Sequence, residues 1–121
     1  LCDAGVTVGG GSDHMQKIGS LRSINPYDPW LGMWIAQRRL PRGLTEPLHP
    51  EEALTRDQAL RLYTANNARL MFLEDQIGTL EPGKLADLIV VDHDPLGCPL
   101  ETLRDIKVLR TYLGGKLVFS R

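Results

Sequence analysis

The sequence lacks the features that mark several large classes of protein. No apolar run approaches the roughly 18 residues of a membrane-spanning helix, and no signal-peptide pattern is present. The net charge is −1 over 121 residues, so no excess of basic residues favours binding to nucleic acid or to an anionic membrane. We therefore expect neither of these partners, and we expect a cytoplasmic location.

Cysteine is scarce, and familiar ligand motifs are missing. Cys2 and Cys98 share no metal-knuckle spacing with a histidine, and a disulfide between them has no support in the sequence. We expect both to be small, partly buried apolar residues. The glycine run 9–11 follows a predicted strand, but it matches neither the dinucleotide fingerprint nor the phosphate-binding loop. These absences exclude the common nucleotide-binding classes.

The length and the first residues bear on domain organisation. A chain of 121 residues fits one modest domain. It begins at Leu1 and almost at once enters a predicted strand over Gly5-Val6-Thr7-Val8-Gly9. Domain boundaries usually fall in polar, flexible linkers. We therefore expect this chain to be a piece of a longer protein.

Three segments carry helix signals. Asp28 is a good N-cap, and Pro29 suits the first helical position of a strongly apolar helix that runs to about residue 40. Thr55 and Gln58 form a capping box for a helix that starts near residue 56. A further short helix, capped by Thr64, is predicted over 65–73.

The C-terminal third carries strand signals, so the predicted fold class is α+β. Residues 77–92 indicate two short strands around the turn Glu81-Pro82-Gly83-Lys84, in which proline and glycine suit the two central positions of a type II turn. The apolar run 88–91 predicts a strand buried on both faces. A helical turn is expected within 99–105. Gly114-Gly115 predicts a hairpin between strands near 106–113 and 116–119.

The segments IGTLEPGKLADLIVVD (77–92) and LTRDQALRLYTANNARL (54–70) closely resemble the C-terminal part of the amidohydrolase superfamily. The branch most similar includes the deformylases of N-substituted formamides. The resemblance implies that residues 1–76 are the end of a TIM barrel, comprising the last strand and its helices. It also implies that residues 77–121 belong to a small, mainly antiparallel β-sandwich domain.

One polar site stands out, at Ser12-Asp13-His14 after the glycine run. A carboxylate at the end of a strand is placed like a catalytic residue of a barrel, where it can ligate a metal and take a proton from metal-bound water. Aspartate in a glycine-rich turn is also typical of a residue that only accepts bonds from local backbone N–H groups. The resemblance favours the first interpretation and implies that Asp13 is both general base and metal ligand. His14 would contact the substrate, or would only be solvated.

The resemblance also implies a function. The chain would be the C-terminal fragment of a metal-dependent amidohydrolase that cleaves C–N bonds of a small-molecule amide or formamide. The parent would carry a divalent metal, zinc by preference. We expect none bound to this fragment and no activity from it alone, because the remaining metal ligands of the family come from earlier strands.

The alternative is a non-catalytic structural or interaction module that self-associates. We expect a homo-oligomer in either case, because the predicted first helix offers more apolar surface than three small helices can cover. Its apolar residues are Trp30, Leu31, Met33, Trp34 and Ile35. His49 and His93 are expected to be surface residues, and the pair Asn66-Asn67 a cap or packing feature and not ligands.

Overall fold

The computed structural model describes residues 1–12, 27–41 and 43–121. This part of the chain forms a small α+β unit, as the sequence predicts. Two single-turn 3₁₀ helices lie at Cys2–Ala4 and Pro50–Glu52. In chain order the other elements are α1 (Pro29–Arg38), α2 (Arg56–Leu62), α3 (Ala65–Leu70), β1 (Leu88–Val91), α4 (Leu100–Leu103), β2 (Val108–Leu113) and β3 (Lys116–Ser120).

The helix starts follow from local side-chain chemistry. The Asp28 carboxylate accepts a hydrogen bond from the Trp30 backbone N–H at 2.9 Å, and Pro29 occupies the first position of α1. At α2 the capping box is complete. The Gln58 backbone N–H donates to Thr55 Oγ1 at 3.2 Å, and the Thr55 backbone N–H donates to Gln58 Oε1 at 2.8 Å. Both predicted caps are confirmed, because each supplies an acceptor to N–H groups that have no partner within the helix.

The predicted third helix is too long by three residues. Helix α3 ends at Leu70, and Phe72 adopts a left-handed backbone with φ of 59°, which a continuing helix does not allow. The Thr64 side chain does not cap α3. Its hydroxyl instead donates to the Leu60 carbonyl of α2 at 2.9 Å. Two short helices therefore meet at a tight junction around Tyr63 and Thr64.

The hydrophobic core lies between the helices. Its buried members are Trp30 and Met33 of α1, Ala59 of α2, and Leu103 and Ile106 at and just after α4. Part of the apolar surface of α1 is therefore covered within this chain, and part is not. Helix α4 and its flank fold back over α1 and cover two of its largest side chains, and Ile35 remains 45% exposed.

Trp34 is a packing residue, because its ring contacts α4 and the residue that follows it. Its indole N–H donates to Glu101 Oε2 at 3.2 Å, and the Arg104 guanidinium lies 5.1 Å from its ring centroid. These contacts agree with a packing role for Trp34.

The three strands form one antiparallel sheet in the order β1-β2-β3. The predicted hairpin is confirmed. Leu113 pairs with Lys116, and the two intervening residues, Gly114 and Gly115, have φ of 55° and 79°. Positive φ at both central positions is the requirement of a type I′ turn, which glycine meets without strain.

Only one strand flanks the predicted turn at 81–84. The turn is confirmed, since the Lys84 N–H donates to the Glu81 carbonyl at 3.2 Å and Gly83 has φ of 95°. Residues 77–81 form no strand. Gly78 has φ of 94°, which leaves the extended region, and it packs closely against Ala68 of α3.

The prediction that β1 is buried on both faces is wrong for this chain. Ile89 is 46% exposed and Val90 40% exposed, because no second layer covers the sheet within the described residues. The other strands also leave large apolar side chains exposed, namely Leu109, Leu113, Leu117, Val118 and Phe119.

The predicted strand at Gly5–Gly9 is also wrong. Residues 2–4 form a 3₁₀ turn that ends at Gly5 with φ of 75°. Residues 6–12 pair with no strand in the described part of the chain, and backbone groups of Val8 and Gly10 bind α2 and α3 instead. Within the described ranges, no helix is long and apolar enough to cross a membrane.

Candidate functional site

The two residues predicted to carry chemistry, Asp13 and His14, lie outside the described residues. The structure describes the chain up to Ser12 and again from Tyr27. The described part of the candidate site comprises the segment that leads to Asp13 and the helices that bind this segment.

Three hydrogen bonds attach the segment Val8–Gly10 to the junction of α2 and α3. The Asn66 side-chain amide donates to the Val8 carbonyl at 2.8 Å, and the Asn67 amide donates to the Gly10 carbonyl at 2.9 Å. The Gly10 N–H donates to the Leu62 carbonyl, near the end of α2, at 2.8 Å. Because two carbonyls of this segment accept hydrogen bonds and one N–H donates, the position and the orientation of its backbone are both fixed.

Glycine is required in this segment because helix side chains approach it closely. A Cβ on Gly9 would overlap Asn67 Oδ1, and a Cβ on Gly10 would lie 2.9 Å from the Tyr63 ring. Neither glycine has a positive φ. The sequence predicted a flexible turn here, whereas the structure shows two glycines that permit tight packing.

A cleft of about 430 Å³ lies beside this segment. It is lined on one side by Gly10, Gly11 and Ser12, and on the other by α1 residues that include Gly32, with Tyr63 also in its wall. This volume falls in the range of small-molecule sites, which run from about 300 to 1,000 Å³. Ser12, the residue before Asp13 in the chain, is thus part of the cleft wall.

One side chain in the described wall of the cleft, that of Tyr63, has a shifted pKa. Burial raises the pKa of Tyr63, and the negative charge of Asp28 raises it further. Its phenol is therefore neutral at physiological pH and cannot serve there as a general base. Asp28 is engaged in capping α1. The described wall of the cleft thus supplies shape and hydrogen-bonding groups.

The described residues do not fit a metal ion. Across 1–12, 27–41 and 43–121, no group of three or more histidine, cysteine, aspartate or glutamate side chains converges on one point. His49 pairs with Glu51 and His93 with Asp92, each at 3.0 Å, and both histidines are more than half exposed. Both are surface residues, as predicted.

The cysteines pack as expected. Cys2 and Cys98 are free thiols of intermediate exposure. Cys98 Sγ accepts a hydrogen bond from Arg56 at 3.4 Å, and the same guanidinium donates to the Pro95 carbonyl at 2.8 Å. Arg56 thereby ties the start of α2 to the loop before α4.

The sequence did not predict which backbone groups the Asn66 and Asn67 side chains bind. It treated the pair as cap or packing residues, and the structure confirms a structural role while showing that the amides bind residues 8–10. A signal was available in the sequence. Asparagine is a poor helix former, so two adjacent asparagines inside a short helix indicate that their side chains satisfy another part of the chain.

Comparison with known proteins gives one consistent result. A family model described as "Amidohydrolase family" matches residues 1–119. The N-substituted formamide deformylase of Arthrobacter pascens is 40% identical over 121 residues, which is 100% of this chain and 21% of the relative. The chain therefore spans about a fifth of that relative's length.

Two solved structures extend the likeness to the fold. An amidohydrolase from Thermotoga maritima superposes with a TM-score of 0.69 at 26% identity, over 100% of this chain and 25% of the solved chain. An adenosine deaminase from Xanthomonas campestris, solved with bound zinc, gives a TM-score of 0.67 at 28% identity, over 97% of this chain and 26% of the solved chain.

Proposed function

This chain belongs to the amidohydrolase family, and from that premise we propose that it is the C-terminal part of a longer, metal-dependent enzyme. The enzyme hydrolyses C–N bonds other than peptide bonds in small amides, and N-substituted formamides are the favoured substrates. The observation that carries this proposal is the 40% identity to a formamide deformylase over the whole of the chain. The segment before Asp13 and the adjacent cleft agree with it.

The domain assignment is part of the same proposal. Residues 1–76 complete a TIM barrel, and residues 77–121 contribute three strands to a β-sandwich. The likeness to solved amidohydrolases over nearly the whole chain supports it. The apolar side chains exposed on the sheet also support it, because a further layer from the rest of the enzyme would cover them.

In this proposal Asp13 is a metal ligand and the general base, and His14 contacts the substrate. The zinc in the Xanthomonas deaminase supports a divalent metal in the parent enzyme. The other ligands come from the part of the enzyme outside this chain. The cleft beside Ser12 is large enough for a small amide.

The test compares full-length enzyme with its Asp13→Asn variant. Formate release from an N-substituted formamide should fall by a factor of about 10² to 10⁴, the usual contribution of a general base. Asp105→Asn is a matched control, since this exposed carboxylate pairs with Arg104 at 3.7 Å, and the activity of this variant should be unchanged. Full activity in Asp13→Asn, or faster ammonia release from an aminopurine than formate release, would contradict the proposal.

The 121-residue chain alone should be inactive with zinc supplied, because one carboxylate neither holds a metal nor lowers the pKa of its water. The measurement is the same formate assay at high protein concentration. Turnover by the isolated chain that disappears in Asp13→Asn would show that the site is complete without the rest of the enzyme.

The alternative is a non-catalytic module that self-associates, and one observation favours it. Strands β1 and β3 are the edges of the sheet, and side chains such as Val90 and Phe119 leave apolar surface uncovered. Uncovered strand edges and apolar faces are surfaces on which another chain can pair or pack. Sedimentation equilibrium of the isolated chain over a concentration series should show a dimer or higher oligomer. A strict monomer at the highest concentration would remove this alternative.

A further inference from the structure

The segment that connects β1 to β2 is docked on the helices and closed at its base. We propose that residues 93–106, which we call the strap, open and close on the helices as one unit, and that Arg56 is the latch that holds the strap closed. This inference goes beyond the proposed function and does not depend on it, because it involves neither a substrate nor a metal.

The two ends of the strap lie together beside the sheet. The Asp92 N–H donates to the Lys107 carbonyl at 3.1 Å, and the Lys107 N–H donates to Asp92 Oδ1 at 2.9 Å. Val91 pairs with Val108 immediately outside this closure. A compact surface loop whose ends lie close together is an Ω-loop. The strap can therefore leave the helices without breaking a pair of the sheet.

Inside the strap the structure is local. Helix α4 is a single turn, Leu100–Leu103. The Cys98 N–H donates to the Asp94 carbonyl and the Thr102 N–H donates to the Pro99 carbonyl, each at 3.0 Å. Segments with few buried side chains and exposed backbone bonds open locally at a low free energy. The position of the strap therefore depends on its contacts with α1 and α2.

The second half of the strap docks on α1. The Trp34 indole N–H donates to Glu101 Oε2 at 3.2 Å, and Arg38 Nε lies 3.4 Å from Glu101 Oε1. The Leu103 side chain is fully buried in the same core as Met33 of α1. Opening of the strap would expose this apolar surface to water, which favours the closed state.

Arg56, the first residue of α2, holds the first half of the strap. Its Nη1 donates to the Pro95 carbonyl at 2.8 Å and to Cys98 Sγ at 3.4 Å. Its Nη2 donates to the Cys98 carbonyl at 3.2 Å, and its Nε donates to Gln37 Oε1 of α1 at 2.9 Å. One guanidinium thus joins α1, α2 and the strap.

The contacts of Arg56 account for an arginine at this position better than the helix does. A positive side chain in the first turn of a helix is unfavourable in the field of the helix dipole. The acceptors are carbonyl, amide and thiol groups, spread over three donor nitrogens. A planar guanidinium donates in several fixed directions, whereas the lysine ammonium is a single point of charge. Arg56→Lys therefore keeps the charge and loses the latch.

Hydrogen exchange of the folded full-length enzyme, measured by mass spectrometry, tests the inference. The peptides compared cover the two halves of the strap, 93–99 and 100–106, and the sheet, 108–120. In Arg56→Lys, exchange should be faster by about tenfold or more in both halves, because hydrogen bonds from a charged donor are lost. Exchange in the sheet should change by less than about twofold, because the opening is local. The second half of the strap is decisive, since the strap residues that contact Arg56 lie in the first half.

Arg61→Lys is the matched control. Arg61 lies on the same helix, and its Nε donates to Asp57 Oδ2 at 2.7 Å in an exposed ion pair, so its substitution should leave exchange in the strap within about twofold of the wild type. A residue that matters only for global stability would speed exchange in the strap and the sheet alike. Unchanged exchange in Arg56→Lys, a change confined to 93–99, an equal change in the sheet, or an equal effect of Arg61→Lys would overturn the inference.

Glu101→Ala keeps the inference testable if Arg56→Lys does not fold. This exposed carboxylate belongs to the second half of the strap and contacts Trp34 and Arg38. Exchange should become faster in both halves, by a smaller factor than in Arg56→Lys, because the ion pair with Arg38 lies in solvent. Faster exchange in 100–106 alone would show that the two halves move separately, and the strap would not be one unit.

Discussion

Gly32 in α1 provides a sharp test of how the helices pack beside the cleft. A Cβ at this position would overlap the Tyr63 hydroxyl oxygen and lie 3.0 Å from the ring carbon Cζ. The Tyr63 ring also lies close to Gly10, where an added Cβ would be 2.9 Å from it. Tyr63 is thus held between two glycines from different parts of the chain.

Two effects oppose each other in Gly32→Ala. Alanine in place of glycine inside a helix stabilises by about 1 kcal/mol. Overpacking of a filled site costs about 1–3 kcal/mol. We therefore expect a net change between zero and about 2 kcal/mol of destabilisation. Each kcal/mol corresponds to a fall in melting temperature of roughly 4 °C for a chain of this size.

The partner substitution Tyr63→Leu removes the ring that causes the overlap. In that background Gly32→Ala should stabilise by about 1 kcal/mol, because only helix propensity remains. Denaturant and thermal unfolding of the wild type, both single variants and the double variant measure the coupling. Gly11→Ala is the control, because a Cβ there meets nothing within 4 Å. Stabilisation by Gly32→Ala in the wild-type background, or the same effect in both backgrounds, would refute the packing argument.

Three further predictions concern local structure. Thr55→Ala removes the acceptor of a complete capping box and should cost about 1 kcal/mol in denaturant unfolding; no loss would mean that water replaces the cap. Valine at both Gly114 and Gly115 opposes positive φ and should destabilise by roughly 1–3 kcal/mol, whereas an unchanged melting temperature would contradict the turn. The Lys107 backbone N–H, with the His93 ring, holds the pKa of Asp92 below its ordinary 3.8. The stability this carboxylate contributes is therefore complete above that ordinary value and is lost as pH falls through the lower folded pKa. Asp92→Asn should accordingly lose less stability in acid than the wild type, and equal acid losses would refute the assignment.

The sequence correctly predicted the caps and turns, whose structure depends on residues close together in the chain. The caps at Asp28 and Thr55, the turn at Gly83 and the hairpin at Gly114-Gly115 are all observed. Each depends on residues within four positions of one another, so the sequence contains the whole cause. The family likeness was equally accessible, because it rests on the residues themselves.

The wrong predictions concern segments whose structure depends on contacts with distant parts of the chain. Residues 5–9 have a strand-like composition, but within the described chain they pair with no strand, and the Val8 carbonyl accepts a hydrogen bond from Asn66 of α3 instead. Gly78 leaves the extended region where it packs on Ala68. The apolar run of β1 predicts burial on both faces, but burial requires layers that the described part of this chain does not supply.

By itself, then, the sequence determined the α+β class, the capped helices, the hairpin and membership of a hydrolase family. Only the tertiary structure decided that Asn66 and Asn67 bind residues 8–10, and that Gly10 and Gly32 make room for Tyr63. The physical reason is separation along the chain. The amide of Asn66 and the carbonyl of Val8 are 58 residues apart, and no local propensity relates them. They meet because residues 8–10 lie against the junction of α2 and α3, where the Gly10 N–H also donates to the Leu62 carbonyl.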